Sequence, residues 1–280
     1  HDDVAELKGP RYVSSIEPSN FDADRVYVTF EGHRSDDFTT YVFVSEDRGD
    51  TWKDLTDKLP ANSPAHIVKE DTRNADLLFV GTEFGCHVSL DRGATWNEFG
   101  DLPTVAVRDL ALQDRENDLV AATHGGGIYV ADITALREAR GNVLAASTHL
   151  FAPERDTAWT MRSRVLNGHS MWRANNERMR ADIVLWLAEA PSKDAKIEVM
   201  DIRGETLATM KAPQEAGLHA MAWDGRIGRG RRARRATPGT YAIRYSDGDT
   251  TQTVTWTLRP DPDGTMTPIS SPMPTGTTRD

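Results

Sequence analysis

The chain alternates short apolar runs with polar turns, and no apolar run approaches the roughly 18 residues of a membrane span. In its first half three runs stand out: Val26–Phe30 (VYVTF), Leu78–Thr82 (LFVGT) and Leu119–Thr123 (LVAAT). A polar turn precedes each of them, at residues 18–25, 70–76 and 113–119. Shorter apolar runs lie upstream of those turns, at 12–16, 66–68 and 107–112. In the second half, alternation is visible at 183–187, 197–200, 218–223, 241–245 and 253–258. Turn signals divide these runs: Arg203-Gly204, Asp224-Gly225, Pro238-Gly239 and Asp247-Gly248. Such spacing predicts an all-β chain, ending in a β-sandwich of about one hundred residues. One short helix is expected from Asp132 or Thr134 to Gly141, where a glycine can end it. Residues 152–180 read as an irregular connector docked by Trp159 and Trp172.

A pattern occurs twice, 44 positions apart: SEDRGDTW from Ser45 to Trp52, and SLDRGATW from Ser89 to Trp96. Both read S-x-D-x-G-x-T-W, so Ser45, Asp47, Gly49, Thr51 and Trp52 match Ser89, Asp91, Gly93, Thr95 and Trp96. The residue types suit a tight turn. An Asp side chain accepts backbone N–H groups there, glycine adopts positive φ without a Cβ penalty, and Trp supplies a large apolar anchor. A third copy lacks the full pattern and aligns Asp91 with Asp132 at a spacing of 41. On that alignment Cys86 takes the place of Gly127, as a small buried strand residue. The unit is four short strands repeating at about 40–45 residues, which suits a propeller blade.

These boxes resemble the BNR, or Asp-box, repeat of β-propellers such as sialidases and the sortilin-like ten-bladed propellers. Residues 201–205 (DIRGE), 215–217 (EAG), 223–225 (WDG) and 238–241 (PGTY) resemble the FlgD-like immunoglobulin-fold domain of flagellar hook-capping proteins and secreted bacterial proteins. The resemblance over residues 11–260, carried by DLLFVGTEFG, LPTVAVRDL, ENDLVAATHGGGIYVADI and HLF, is to the C-terminal end of bacterial BNR-repeat proteins that often bear a glycosyl hydrolase name. It implies a partial propeller of about three Asp-box blades, followed by an immunoglobulin-like sandwich. The expected divisions are 1–135 for the blades, 136–180 for helix and connector, 181–260 for the sandwich and 261–280 for a disordered tail. Three blades fall short of the four to eight of a closed ring. The remaining blades are therefore expected either upstream in a longer chain or in another chain.

Charge sharpens the boundary and narrows the partners. The net charge of −10 divides into −13 for residues 1–150 (14 Lys+Arg against 27 Asp+Glu) and +3 for residues 151–280 (19 against 16), counted along the sequence. An acidic first half argues against nucleic acid. Arg226, Arg229, Arg231, Arg232, Arg234 and Arg235 fall within ten residues, either as a polyanion patch or as a solvated hairpin. One cysteine excludes an intrachain disulfide. No metal-ligand spacing or phosphate loop is present, so no cofactor and no metal are expected.

The turn between the second and third strands of a blade lies on the face where the propeller resemblance implies ligand binding. Here those turns begin at Glu31, Glu83 and His124, three ionisable groups expected around one channel mouth. The first turn is the longest and adds His33, Arg34, Asp36 and Asp37, and loops that depart from a repeat often carry function. Glu31 and Glu83 suit an acid–base pair for glycoside cleavage if about 5–10 Å apart. The alternative is that they salt-bridge to Arg34 or Arg108. Two function classes follow. One is a noncatalytic extracytoplasmic propeller that binds protein or glycan, with the sandwich as spacer or anchor. The other is a glycoside hydrolase, sialidase-like or otherwise, with catalytic residues mainly in upstream blades.

Overall fold

The computed structural model describes Val4, Leu7 and residues 9–100, 102–154, 156–159, 179–228 and 233–262. The chain is all-β, and its contacts divide it into two units, His1–Ala146 and Ser147–Asp280.

The first unit holds three consecutive antiparallel sheets, each a meander. The first is β1 (Tyr12–Pro18), β2 (Val26–Gly32), β3 (Asp37–Ser45) and β4 (Lys53–Asp54), paired in that order. The second repeats it with β5 (Ala65–Glu70), β6 (Leu78–Thr82), β7 (Gly85–Ser89) and β8 (Asn97–Glu98). The third has β9 (Val107–Gln113), β10 (Asp118–Thr123) and β11 (Gly127–Asp132), with β11 at the edge of the sheet. These are propeller blades, the third truncated among the described residues.

Stacking of blades makes the core, because a sheet with two apolar faces must cover both. Tyr27, Val42 and Val44 of the first blade, with Leu55 and Leu59 beyond it, meet Val68, Leu78, Val80 and Trp96 of the second in one buried cluster. The opposite face of the first blade, Val28, Phe30, Tyr41 and Phe43, is covered by Val4 and Leu7, with Trp52 packed against it. Each buried Leu, Val or Phe contributes roughly 1.5–3 kcal/mol. The third blade buries Leu110, Leu119 and Ala121 but leaves Ile128 and Val130 72% and 62% exposed. Pairing across β10 puts Val120 opposite Val130 and Ala122 opposite Ile128, so those residues share the uncovered face.

The two Asp-boxes are superposable in their bonding. Ser45 Oγ donates to Asp47 Oδ1 at 2.8 Å and accepts from Gly49 N at 2.7 Å; Ser89, Asp91 and Gly93 repeat both values. Thr51 N and Thr95 N each donate to the Asp Oδ1 at 2.8 Å, and their hydroxyls donate to Oδ2 at 2.5 and 2.6 Å. Arg48 N and Arg92 N donate to Asp24 O and Asp76 O, tying each box to the turn before the second strand. The indoles differ: Trp52 Nε1 closes on its own turn at Gly49 O (3.1 Å), whereas Trp96 Nε1 crosses to Leu55 O of the first blade (2.8 Å).

The third copy is shifted by one residue along its strands. Leu119 pairs with Ala131 as Leu78 pairs with Ser89, a spacing of 42, so Cys86 corresponds to Ile128 and Gly85 to Gly127. The cause is one extra residue between β10 and β11: Thr123 pairs with Gly127, Thr82 with Gly85. The next turn is one residue shorter, because Ile133 N bonds to Asn117 O as Arg92 N bonds to Asp76 O. At that turn Asp132 therefore does stand in the place of Asp91. Cys86 is buried, and burial pushes its thiol up to about 12, which removes it as a nucleophile.

In place of the single helix expected through Gly141 there are two, α1 (Thr134–Glu138) and α2 (Gly141–Leu144). Gly141 opens the second rather than ending the first. Asp132 Oδ1 accepts Thr134 N at 2.7 Å. Arg137 of α1 is buried and donates to Asp71 Oδ2 (2.8 Å), Asp114 Oδ1 (2.7 Å) and Asn117 Oδ1 (2.7 Å), which anchors the helix to two inter-strand turns.

The second unit is a two-sheet sandwich. One sheet is β12 (Thr148–Leu150), β14 (Ala181–Leu187) and β17 (Gly217–Trp223), in the order β12-β14-β17. The other runs β13 (Asp156–Ala158), β21 (Thr250–Pro260), β20 (Gly239–Asp247), β15 (Lys196–Met200), β16 (Thr206–Lys211). Ile183, Leu185 and Trp223 of the first sheet share one core with Ile197, Ile243, Tyr245 and Trp256 of the second, and Trp223, Tyr241 and Trp256 pack ring on ring. β13 lies in the stretch expected to be irregular, and β12 just before it. The two-residue strands β18 (Arg226–Ile227) and β19 (Arg234–Arg235) pair within the arginine-rich hairpin. Arg229, Arg231 and Arg232, Trp172 and the tail from residue 263 lie outside the described residues.

Two outcomes follow for stability. Gly49 and Gly93 both have positive φ, +101° and +84°, but only at Gly93 would an added Cβ meet Leu55 Cδ1, at 2.8 Å. Each Gly→Ala change should cost on the order of 1 kcal/mol from backbone strain, and Gly93→Ala should cost more than Gly49→Ala in urea denaturation. The second concerns pH. The Thr51 hydroxyl and N–H hold the Asp47 carboxyl below its ordinary value. At Asp91 partial burial opposes ionisation, and the Thr95 hydroxyl and N–H and Ser89 outweigh it. A depressed carboxyl contributes stability that is full above its unfolded value near 3.9 and is lost as pH falls through the folded value. The thermal midpoint should therefore drop on acidification below about pH 4, and Asp47→Asn/Asp91→Asn should flatten that drop.

Candidate functional site

The innermost strands of the three blades share one irregularity. The β1–β2 register jumps between Val13 and Ser15, the β5–β6 register between Ala65 and Ile67, and the β9–β10 register between Val107 and Asp109. Ser14, His66 and Arg108 are the extra residues. A bulge leaves its residue out of the ladder and re-aims its side chain. Repeated in three blades, it delivers a hydroxyl, an imidazole and a guanidinium from equivalent backbone positions.

His66 and Arg108 meet the two glutamates that open the next turns. His66 Nδ1 lies 3.0 Å from Glu31 Oε2, and its Nε2 lies 2.8 Å from Glu83 Oε2. Arg108 Nη1 is 3.7 Å from Glu31 Oε2 and Nη2 is 3.4 Å from Glu83 Oε2. His33 Nδ1 reaches Glu31 Oε1 at 2.8 Å. The root of the cluster is covered, with the His66 side chain 4% and Glu31 11% exposed. Its rim is open, with Glu83 38% and Arg108 and His33 each 43% exposed. Ser14 sits beside it, donating to Ala65 O at 2.8 Å and therefore accepting from Thr29 Oγ1, also at 2.8 Å.

His66 Nδ1 has two neighbours that ask opposite things of it. The Glu31 carboxylate needs a donor, while Arg108 Nη1, 3.1 Å away, offers a proton and needs an acceptor. A neutral ring has one donor and one acceptor; an imidazolium has two donors. Neutral, the ring donates from Nε2 to Glu83 and accepts from Arg108. Protonated, it donates to both carboxylates and turns Arg108 away. Only the protonated ring bonds both carboxylates; beside the neutral ring, Glu31 relies on His33 and Arg108.

Of the residues expected at the mouth, Glu31, His33 and Glu83 are brought together. Arg34 lies over the Tyr12 ring, 5.8 Å from its centroid. Asp36 is in the left-handed region at φ 55° and closes a 3-10 turn over His33–Ser35. Asp37 accepts Arg11 Nε (2.8 Å), Tyr41 Oη (2.8 Å) and Thr39 N (3.0 Å). Partial burial opposes ionisation of its carboxyl, but bonds from Thr39, Arg11 and Tyr41 hold it well below the ordinary range. His124 donates its backbone N–H to Ala106 O at 2.8 Å, and its ring makes no polar contact with the cluster among the described residues. His66 was not singled out by the repeat. The available signal was a polar residue directly after Val13, Ala65 and Val107, at the same place in the three first strands. Among the described residues no group of three or more His, Cys, Asp or Glu is placed to hold a metal ion, and no helix is long and apolar enough to cross a membrane.

No protein-family model and no curated protein matches the sequence. Among solved structures, a GH74 enzyme of Niastella koreensis is similar at TM-score 0.37 and 17% identity over 43% of this chain and 21% of its own. A GH74 xyloglucanase of Xanthomonas campestris is similar at 0.32 and 15%, over 41% and 20%. YCF48 of Cyanidioschyzon merolae is similar at 0.33 and 12%, over 89% and 73%. The chain spans about a fifth of the length of the two GH74 enzymes. At such distance the site is read from its own residues.

If His66 organises the mouth, His66→Ala should cost about 1–3 kcal/mol by leaving Glu31 without its buried partner. Glu83→Gln, at the open rim, should cost less. A His66/Glu31 double-mutant cycle should show coupling of at least about 0.5 kcal/mol; additive effects would mean that the ring merely fills space.

Proposed function

We propose that the channel mouth is the ligand site of a noncatalytic, extracytoplasmic binding module of the Asp-box propeller type. The FlgD-like sandwich serves it as spacer or anchor, and the remaining blades come from elsewhere in a longer chain or from another chain. The ligand class is carbohydrate or protein. The observation that carries the reading is the single imidazole lodged between Glu31 and Glu83. An acid–base or nucleophile pair must have a sugar between its two carboxyl groups; here that space holds His66, covered and bonded on both nitrogens. What remains open is a rim of alternating acceptor and donor groups, Glu83, Arg108 and His33. Sugar hydroxyls both donate and accept, and such a rim can engage them without supplying a nucleophile.

This reading predicts saturable binding without turnover. Oligosaccharides titrated calorimetrically should bind the protein, and Arg108→Ala and Glu83→Ala should each weaken binding roughly tenfold or more, as loss of a charged hydrogen bond does. The same oligosaccharides should be recovered intact after long incubation. Hydrolysis that disappears in Glu31→Gln and Glu83→Gln would replace this reading with the glycosidase one.

A further inference from the structure

Between the second and third blades lies an apolar cavity of about 180 Å³, lined by Phe99 and Leu102 from one side and Leu119, Ala121, Tyr129 and Ala131 from the other. Its address in the repeat is informative. Val88 pairs with Asn97, so Trp96 stands across from Ser89, beside Leu78, and its indole packs with Leu55, Leu78 and Val80 in the interface between the first two blades. One interface further on, strand register makes Ala131 the counterpart of Ser89, Leu119 of Leu78 and Ala121 of Val80. Phe99 follows Trp96 at the distance by which Leu55 follows Trp52. The cavity therefore occupies the place that Trp96 fills one blade earlier. Among the described residues no tryptophan lies here: after Asp132 the chain leaves the sheet as α1, none of whose residues lines the cavity.

The strand that would carry such a side chain also has a place. β4 pairs with β3 and β8 with β7, whereas among the described residues β11 is an edge. An edge strand offers a row of backbone donors and acceptors to an added strand. We propose that the edge of β11 and the cavity beside it form one binding site for an extended peptide strand bearing an aromatic side chain, tryptophan above all, that completes the third blade. The strand pairs with β11 in the manner of β8 on β7, and its indole enters between Phe99 and Leu119. The chemistry of the occupant is the one this chain already uses: Trp96 with its flanking two-residue strand. An apolar cavity of about 150 Å³ is large enough to hold a benzene ring, and the present one exceeds that.

The test uses the full chain and a blocked hexapeptide of its own residues Ala94–Phe99 (ATWNEF), followed by methyl NMR of Ala121, Ala131 and Leu119. Saturable shifts of these methyls are expected, with affinity roughly thirtyfold weaker when the peptide's Trp is replaced by Ala, the scale of a buried aromatic anchor. Ala131→Leu, which narrows the cavity from inside, should abolish the shifts while circular dichroism stays unchanged; if it does not fold, Ala121→Val serves the same purpose. Free indole is the second probe. Indole binding without peptide binding overturns strand addition, and absence of both overturns the site. Binding of the Ala peptide as tightly as the Trp peptide overturns the role assigned to the cavity. None of these readouts involves the channel mouth.

Discussion

A blade cannot bury both of its own faces. Tyr27 and Val44 point one way from the first sheet, Val28 and Phe43 the other, so each sheet is stable only with a neighbour on either side. This constraint accounts for where the core lies, between sheets rather than within any one of them. It also accounts for the exposure of Ile128 and Val130 on the last blade. Such arrays derive stability from nearest-neighbour interfaces.

The Asp-box turns serve that stacking. Inside each turn, the serine and aspartate side chains accept three backbone N–H groups, those of Asp47, Gly49 and Thr51 in the first box and of Asp91, Gly93 and Thr95 in the second. The turn then delivers an indole, and the second one delivers it across the interface, to Leu55 of the previous blade. The close approach of Gly93 to Leu55 belongs to the same contact. A local turn motif is thus also an inter-blade clasp.

Much of this architecture was legible in the chain. The boxes located the third and fourth strands, the polar turns bounded the second, and the alternation at 183–187 and 253–258 marked sandwich strands that recur in the structure. What escaped had physical reasons. β16 has no buried position and no apolar period, and β12 and β13 are three residues each. The helix pattern through Gly141 carries no sign of the break at Ala139, whose ψ of 75° ends α1. The one-residue slip in the third blade was hidden because an added residue before β11 is compensated by a lost one after it. At the mouth, Glu31 and Glu83 were visible as equivalent positions. The bulges that present His66 and Arg108 were not, because a bulge is a fact of pairing between strands and leaves no period in either.

Those bulges separate two jobs that a strand ordinarily confounds. In a regular ladder every side chain belongs to one face or the other, and exchanging it disturbs the packing of that face. The residue at a bulge belongs to neither. Positions 14, 66 and 108 can therefore differ as widely as serine, histidine and arginine while the sheets beneath them keep the same register. The scaffold behaves like a socket with interchangeable pins, so the chemistry displayed at these three positions can be rewritten one residue at a time without redesigning a blade.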